Sequence, residues 1–246
     1  MRQVKKRIES WLKNKTKQAG AKGVVFGLSG GIDSAVVGVL AKNVFGRNAV
    51  ALILPCHSGK EDIKDARNIA KKFKISVKEI DLSGAYDTLT KAFGVKKAKL
   101  LKKDLALGNV KPRLRMIALY YFANKNNYLV LGTGNKSELT MGYFTKYGDG
   151  GVDLLPLGDL LKSQVRELAY ELGIPEKIIY KAPTAGLWKG QTDEGEMGII
   201  YDDLDTVILG LERKNTKGIN KKLINKVVSR NKKTKHKRQL PEIFEL

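Results

Sequence analysis

The stretch SGGIDS, residues 29–34, decides the fold because it joins a strand pattern to a helix pattern through a tight turn. Residues 24–28 before it are apolar and rich in strand formers. Residues 35–44 after it are apolar on nearly every side, which is typical of a buried helix. A helix that starts near Asp33 points unpaired backbone N–H groups and the positive end of its dipole above the turn. The stretch therefore predicts a phosphate-binding turn.

Two kinds of residue in this turn favour a ligand site over a plain corner. The glycines at 30 and 31 let the backbone approach an anion closely, which a Cβ would prevent. Asp33 would repel a phosphate unless a cation bridged them, and Mg2+ is the hard cation that suits both. No Gly-Lys-Ser/Thr follows, so the turn is not a Walker A loop. An ordinary strand–turn–helix corner is the alternative that these six residues leave open.

The composition sets bounds on the class of protein. The 246 residues suffice for one large α/β domain or two small ones, and 42% hydrophobic content is enough for a sizeable core. The formal net charge of +21 predicts anionic partners, either nucleic acid or phosphorylated small molecules, with a solvated lysine surface as the alternative. The single cysteine, Cys56, excludes an internal disulfide and a Cys-rich zinc site. We see no signal peptide and no membrane-spanning run, and we therefore predict a cytoplasmic location.

The order of strand and helix patterns predicts a parallel sheet. Strands at 24–28, 49–54 and 75–80 alternate with helices at 35–44 and 61–73, which is a β-α-β-α-β arrangement. Between 86 and 109 the pattern weakens, and the charge-rich stretch 96–103 is compatible with a mobile loop or an exposed helix. A helix at 111–124 then leads to a strand at 128–131, and later in the chain residues 182–196 are predicted as a loop. Ligands of open α/β sheets lie where the winding direction reverses, so we place strands 24–28 and 128–131 side by side.

Two later segments add candidate site residues. Thr133 ends a strand and can bond a nucleotide, while Glu138 can share a cation with Asp33. The alternative for Glu138 is an acid matched to the dipole at a helix start. The sequence FTKYGDGGVD at 144–153 combines three glycines with lysine and aspartate, which favours a functional loop over a simple connector.

These segments carry a family resemblance. SGGIDS resembles the Ser-Gly-Gly-x-Asp-Ser pyrophosphate loop of the N-type ATP pyrophosphatases, a superfamily that includes NAD, GMP and asparagine synthetases and tRNA-modifying adenylating enzymes. Further blocks are similar, in the same order, to those of the NAD synthetase family: NVKPRLRM at 109–116, GT at 132–133, FTKYGDGG at 144–151, LPL at 155–157 and APTA at 182–185. The resemblance runs from about residue 3 to the tail at 236–238. Pro112 departs from it, since the family more often has alanine there.

The resemblance implies a fold and an activity. The fold would be a doubly wound parallel α/β sheet of the adenine nucleotide α-hydrolase type, with helices on both faces. Residues 1–246 would be a single domain whose basic helix and tail, 213–246, lie over the active site. The activity would be ATP-dependent amidation of deamido-NAD to NAD with free ammonia, through an acyl adenylate with release of AMP and pyrophosphate. The family also implies Mg2+ and a homodimer, with Trp11 and helix 111–124 as candidate interface.

The resemblance further implies roles for individual residues. The ATP site would comprise Gly27, Leu28, Ser29, Gly30, Gly31, Ile32, Asp33, Ser34, Thr133, Lys162 and Thr184. The deamido-NAD site would comprise Arg113, Lys146, Asp153, His236 and Lys237. Asp33 and Glu138 would hold Mg2+, and Asp33 and Lys162 would be the catalytic pair. Lysine and arginine suit the pyrophosphate and carboxylate of such a substrate.

The basic run at 213–238 has a competing interpretation, because such runs also occur in nucleic-acid-binding tails. It lacks interleaved aromatics for base stacking, and Leu223, Ile224, Val227 and Val228 have helical spacing. We therefore favour a lid that covers an anionic small molecule, and we do not expect a nucleic-acid partner. The alternatives are a tRNA-modifying adenylating enzyme and a binding module that lost the chemistry.

Overall fold

The computed structural model describes residues 1–95, 104–188 and 190–245, so the stretch 96–103 lies outside the described residues. Four strands and twelve α-helices have these bounds: α1 Arg2–Gln18, β1 Gly23–Gly27, α2 Ile32–Phe45, β2 Ala49–Ile53, α3 Lys60–Lys72, β3 Ser76–Glu79, α4 Ser83–Ala92, α5 Leu105–Gly108, α6 Val110–Asn126, β4 Tyr128–Leu131, α7 Lys136–Met141, α8 Lys162–Glu171, α9 Glu176–Ile179, α10 Asp193–Met197, α11 Tyr201–Glu212 and α12 Lys221–Lys233. These elements of the described chain include every strand that the sequence predicts.

The four strands form one parallel sheet in the order β3-β2-β1-β4. Val24 of β1 pairs with Ala49 of β2 on one side and with Leu129 of β4 on the other. The predicted neighbours 24–28 and 128–131 are therefore adjacent, and the winding direction reverses between them. Because parallel strands end at the same edge, the turn after β1 and the loop after β4 lie next to each other.

Helices cover both faces of this sheet, as predicted. Val24 and Phe26 of β1 belong to a buried cluster that includes α2 and α8. Val25, between them in the sequence, belongs to the opposite cluster with Ala123 of α6 and Val130 of β4. This alternation follows from the two-residue period of a strand, and full burial of β1 explains its continuous apolar sequence.

Helix α6 tolerates the unusual Pro112. The helix begins at Val110, so Pro112 lies in its first turn and is buried. Backbone N–H groups in a first turn have no partner within the helix, and a proline there loses no intrahelical hydrogen bond. The departure from the family pattern therefore leaves the helix start intact.

Two less patterned segments of the sequence contain helices, and the prediction for the second of them is corrected. The weak pattern after Tyr86 contains α4, in which Tyr86 and Thr90 are buried, and also α5. The segment 182–196, predicted as a loop, contains the short helix α10. The Thr192 side chain caps α10 by accepting a hydrogen bond from the Gly195 N–H, at 3.2 Å. A single capped turn is too short to show helical periodicity in the sequence.

The C-terminal helix packs on the body of the domain. Val227 of α12 is buried in a cluster with Leu204 and Ile208 of α11. The end of α12 meets the turn after α7, where a Cβ on Gly142 would lie 2.3 Å from the Cβ of Thr234. Gly142 also has a φ of +60°, so both its backbone conformation and this close approach require glycine.

Candidate active site

The predicted pyrophosphate loop is a closed turn at the carboxyl end of β1. Gly31 precedes the first residue of α2, and Gly30 has a φ of +83°. The Ser34 hydroxyl donates to the Gly31 carbonyl at 2.9 Å and accepts from the Ser29 N–H at 3.2 Å. The Ser29 hydroxyl lies 3.0 Å from that of Ser34. The first turn of α2 thus faces the space at the sheet edge with its N–H groups, an arrangement that suits phosphate oxygens.

A buried lysine joins the two predicted metal ligands. The Nζ of Lys162 lies 2.5 Å from Oδ2 of Asp33 and 3.6 Å from Oε1 of Glu138. Asp33 comes from the first turn of α2, Glu138 from α7, and Lys162 from the start of α8. The side chain of Lys162 is 2% exposed. Burial opposes its charge, but Asp33 and Glu138 outweigh burial and raise the pKa of Lys162 to about 12.

The backbone at Lys162 is fixed by two further buried residues. The Ser137 hydroxyl accepts a hydrogen bond from the Lys162 N–H at 3.0 Å, and Asp205 accepts one from the Ser163 N–H at 2.9 Å. Ser137 and Asp205 are also hydrogen-bonded to each other, at 2.5 Å. The N–H groups of Lys162 and Ser163 have no partner within α8, and they find acceptors in Ser137 and Asp205 instead. These hydrogen bonds hold the backbone of Lys162 in place.

Glu138 is positioned by a capping box at the start of α7. The Asn135 side chain accepts from the Glu138 N–H at 3.0 Å, and Glu138 accepts from the Asn135 N–H at 3.1 Å. The Asn135 amide also donates to Oδ1 of Asp33 at 3.0 Å. Burial and the nearby charge of Asp33 raise the pKa of Glu138 to about 8. Asn135, which bonds both Glu138 and Asp33, was absent from our predictions, although the Asn-x-x-Glu pattern is a recognisable capping signal.

Tyr201 and Asp193 adjoin the group formed by Asp33, Glu138 and Lys162, and our sequence predictions missed both of them. The Tyr201 hydroxyl lies 3.3 Å from Oε1 of Glu138 and 3.2 Å from Oδ2 of Asp193. The Nζ of Lys162 lies 5.0 Å from the centre of the Tyr201 ring, within cation–π range. Burial raises the pKa of both Asp193 and Tyr201. No local sequence signal marks these two residues, since each sits in an element of its own.

Three of the predicted deamido-NAD residues lie together. Arg113 donates to the Lys146 carbonyl at 3.4 Å, and Lys146 donates to the His236 carbonyl at 2.6 Å. Lys237 is held differently, because its amine donates to the carbonyls of Gly142 and Phe144, each at 2.8 Å. The tail therefore reaches the 144–151 loop, and Lys237 fastens it there.

The remaining predicted residues occupy separate positions. Asp153 accepts from the Val130 N–H at 2.7 Å and from the Tyr120 hydroxyl at 3.0 Å, beside β4. Burial and this contact raise the pKa of Tyr120. Thr133 is half-buried after β4. Thr184 is exposed, and its hydroxyl accepts from the Gly186 N–H at 3.1 Å.

The thiol of Cys56 is buried and does not face solvent. Its side chain is 0% exposed, and burial raises the pKa of the thiol. A protonated, buried thiol is a poor nucleophile, because the thiolate is the reactive form.

Two absences concern only the part of the chain that the structure describes. No three His, Cys, Asp or Glu side chains there are grouped so that they could hold a metal ion by themselves. Asp33 and Glu138 could supply two carboxylate ligands, and a hard cation would take its other ligands from water and phosphate. No described helix is long and apolar enough to cross a membrane.

Known protein sequences and structures resemble this chain over nearly its whole length. A family model described as NAD synthase matches residues 4–241. An NH(3)-dependent NAD(+) synthetase from Carboxydothermus hydrogenoformans is 48% identical over 96% of this chain and 95% of its own. The structure of NMN synthetase from Francisella tularensis has a TM-score of 0.89 and 38% identity, over 100% of this chain and 98% of that one. An NH3-dependent NAD synthetase from Campylobacter jejuni, in complex with nitrate, has a TM-score of 0.83 and 32% identity, over 99% and 98%.

Proposed function

Because the chain belongs to the NAD synthase family, we propose that Asp33, Glu138 and Lys162 form its adenylation centre. The enzyme is a carbon–nitrogen ligase that amidates deamido-NAD to NAD with ammonia at the expense of ATP. The observation that carries the assignment of the centre is the position of Lys162, whose buried amine contacts both carboxylates at the carboxyl edge of β1 and β4.

The reaction needs charge neutralisation more than a protein nucleophile. The nicotinate carboxylate attacks the α-phosphorus of ATP and releases pyrophosphate, and ammonia then attacks the acyl carbon and expels AMP. The loop at 29–34 would hold the phosphates through backbone N–H groups, as in other phosphate-binding turns. Lys162 would stabilise the negative charge that develops at phosphorus, since its high pKa keeps the amine protonated.

Mg2+ is the cofactor that fits the pair of carboxylates formed by Asp33 and Glu138. Asp33 and Glu138 would hold it, and the ion when bound would neutralise the charge of the departing pyrophosphate. The raised pKa of Glu138 supports this role, because burial and the charge of Asp33 oppose its ionisation, and a bound cation would favour it. Thr133 and Thr184 would contact the rest of the ATP.

Arg113, Lys146 and His236 would bind deamido-NAD. Their contacts bring two cationic side chains and the tail to one surface, which suits an anionic dinucleotide. Lys237 would act by fastening the tail, and Asp153 would complete the site from the end of β4. In this proposal residues 1–246 form one domain in which the basic segment 213–246 covers the substrate.

A second candidate substrate is the nicotinic acid mononucleotide. The protein with the TM-score of 0.89 is named an NMN synthetase, so the same fold is associated with the shorter product. Both substrates present the same nicotinate carboxylate for adenylation. They differ in the AMP half, which only the dinucleotide carries.

We also propose that the enzyme is cytoplasmic and forms a homodimer. The two copies would contact each other through α6. The exposed apolar side chains Ile117 and Tyr121 lie one turn apart on this helix, at 60% and 58% exposure. Ile117 also lines an apolar groove of about 590 Å³ with Phe93 and Leu114. Adjoining apolar groups of this size favour burial against another surface.

One assay tests the proposed function directly. The purified protein is incubated with ATP, Mg2+ and either deamido-NAD or the mononucleotide, with ammonium or ammonia-free glutamine as nitrogen source. We expect NAD, AMP and pyrophosphate from deamido-NAD and ammonium, with little product from glutamine, because the buried Cys56 cannot serve as an amidase nucleophile. A Cys56→Ser variant should remain active with ammonium. Preference for the mononucleotide would support the second candidate, and no product from either acid would refute both.

A further inference from the structure

A cluster of acidic and basic side chains adjoins the pyrophosphate loop and has no role in the proposed adenylation centre. Asp65 of α3 is its centre, with a side chain that is 2% exposed. Its Oδ1 lies 2.8 Å from the Nζ of Lys177, and its Oδ2 lies 2.8 Å from the Nζ of Lys181. A buried carboxylate needs such partners to stay charged, and each oxygen of Asp65 therefore holds one lysine amine.

The two lysines differ in what else they touch. The Nζ of Lys181 lies 2.7 Å from Oδ1 of Asp62 and 3.5 Å from the carbonyl oxygen of Gly30. Lys177 instead pairs with Glu61, at 2.6 Å, on the surface of α3. Of these two lysines, Lys181 is therefore the one whose described contacts connect Asp65 to the pyrophosphate loop.

The loop and α3 are in direct backbone contact at the same point. A Cβ on Gly30 would lie 2.3 Å from the carbonyl oxygen of Asp62, so no other residue fits without displacement. The carbonyl of Gly30 and the N–H of Gly31 belong to one peptide unit and point in opposite directions. With the carbonyl directed to Lys181, the N–H is directed away from it, and in this structure it donates to the Ser29 hydroxyl at 3.3 Å.

We propose that Lys181, held in place by Asp65, is a positioning residue that sets the orientation of the Gly30–Gly31 peptide for ATP binding. The inference rests on the proposed role of the loop as the phosphate cradle. Lys181 also lies three residues before Thr184, so the same ion pair joins the segment carrying Thr184 to the loop. Burial opposes the charge on Lys181, but Asp62 and Asp65 outweigh burial and raise its pKa, which keeps the amine charged.

The test compares Lys181→Met with Lys177→Met. Each variant removes one ion-pair partner of Asp65 and keeps the length of the side chain, so Lys177→Met is the matched control. Binding of ATP with Mg2+ is measured by calorimetry without other substrates, and thermal unfolding is followed in parallel. We expect the Kd for MgATP to rise roughly tenfold in Lys181→Met, as for loss of one charged hydrogen bond. We expect it to change less than about twofold in Lys177→Met, whose amine does not reach the loop.

Two further variants separate positioning from simple stability. Lys181→Arg should restore most of the MgATP affinity, because a guanidinium can reach both Asp65 and the Gly30 carbonyl. Asp65→Asn should weaken MgATP binding as Lys181→Met does, since it releases Lys181. The KM for ammonium should stay near the wild-type value in all four variants.

The MgATP affinities of these variants either support the inference or overturn it. Unchanged MgATP affinity in Lys181→Met, or equal weakening in Lys181→Met and Lys177→Met, would overturn the inference. Weakening in Lys181→Met alone, with rescue by arginine, would support it. The proposed function is judged separately by NAD synthesis in the wild-type protein, and the comparison of Kd values stands even if a different acid proves to be the substrate.

Discussion

The amine of Lys162 lies 2.5 Å from Oδ2 of Asp33, although the two residues are 129 positions apart in the sequence. The same amine is 3.6 Å from Glu138, so one buried cation is shared by two half-buried carboxylates. Removing one partner of a buried ion pair leaves an uncompensated charge, which costs far more than losing an exposed pair. Lys162 is therefore expected to support both the stability of the site and its chemistry.

Replacement of Lys162 by methionine should damage both properties. We expect the free energy of unfolding to fall by about 3 kcal/mol, because Asp33 and Glu138 lose their shared partner. We expect kcat to fall at least about 100-fold, as when a group that stabilises a transition-state charge is removed. Urea unfolding and NAD synthesis measure the two effects. Lys136→Met is the control, since it removes a lysine paired at the surface with Asp159 and Glu212 and should keep near-normal kcat.

The variants Asp33→Asn and Glu138→Gln should each abolish adenylate formation while the protein stays folded. An amide keeps the shape of the side chain but removes the charge that a hard cation requires. Exchange of labelled pyrophosphate into ATP, in the presence of deamido-NAD, reports this step alone. Circular dichroism checks the fold. Near-normal exchange in either variant at ordinary Mg2+ concentrations would refute the assignment of that carboxylate as a metal ligand.

The pKa of Glu138 predicts how stability depends on pH in the absence of Mg2+. Its pKa is about 8 in the folded protein against 4.5 in the unfolded chain, so the folded state binds more protons between these values. The free energy of unfolding should therefore fall as pH rises from about 5 to 8. Glu138→Gln cannot ionise and should lack this component of the loss. Urea unfolding of both proteins at pH 5 and pH 8 measures the difference, and an identical pH dependence in the two would contradict the prediction.

Truncation before Lys232 should weaken deamido-NAD binding far more than ATP binding. The truncated residues include His236, whose carbonyl accepts from Lys146, and Lys237, which fastens the tail to Gly142 and Phe144. Calorimetry with each substrate separately measures the two affinities. Removal of residues 240–246 alone is the control, because Leu240 and Phe244 are at least 87% exposed. Loss of RNA affinity with unchanged NAD synthesis would instead favour a nucleic-acid tail.

A charged substitution on α6 should dissociate the proposed homodimer. Ile117→Glu places a carboxylate in the exposed apolar surface and makes its burial against a second copy unfavourable. Sedimentation equilibrium should show a dimer for the wild-type protein and a monomer for this variant. Val228→Glu is the matched control, because Val228 is an exposed apolar residue on α12, at 47% exposure. A monomeric wild-type protein would refute the proposal.

The sequence by itself determined the fold class and the turn around which the candidate site is built. Strand and helix periodicities located β1 to β4, since these signals depend only on neighbouring residues. The SGGIDS turn, which we propose as the phosphate loop, could be located for the same reason, because a turn and a helix start are local structures. The adjacency of β1 and β4 was also predictable, since it follows from a general rule about where parallel sheets bind ligands.

Only the tertiary structure decided which side chains complete the site. Asn135 bonds Asp33, Tyr201 bonds Glu138, and Lys181 approaches Gly30, each across a long separation in sequence. A hydrogen bond depends on distances of about 3 Å and on direction. Such contacts are set by how helices pack around the sheet, and sequence spacing carries no measure of that packing. The family resemblance predicted that the tail lies over the site, but the anchoring of Lys237 on two backbone carbonyls could not be predicted, because it depends on how the tail packs.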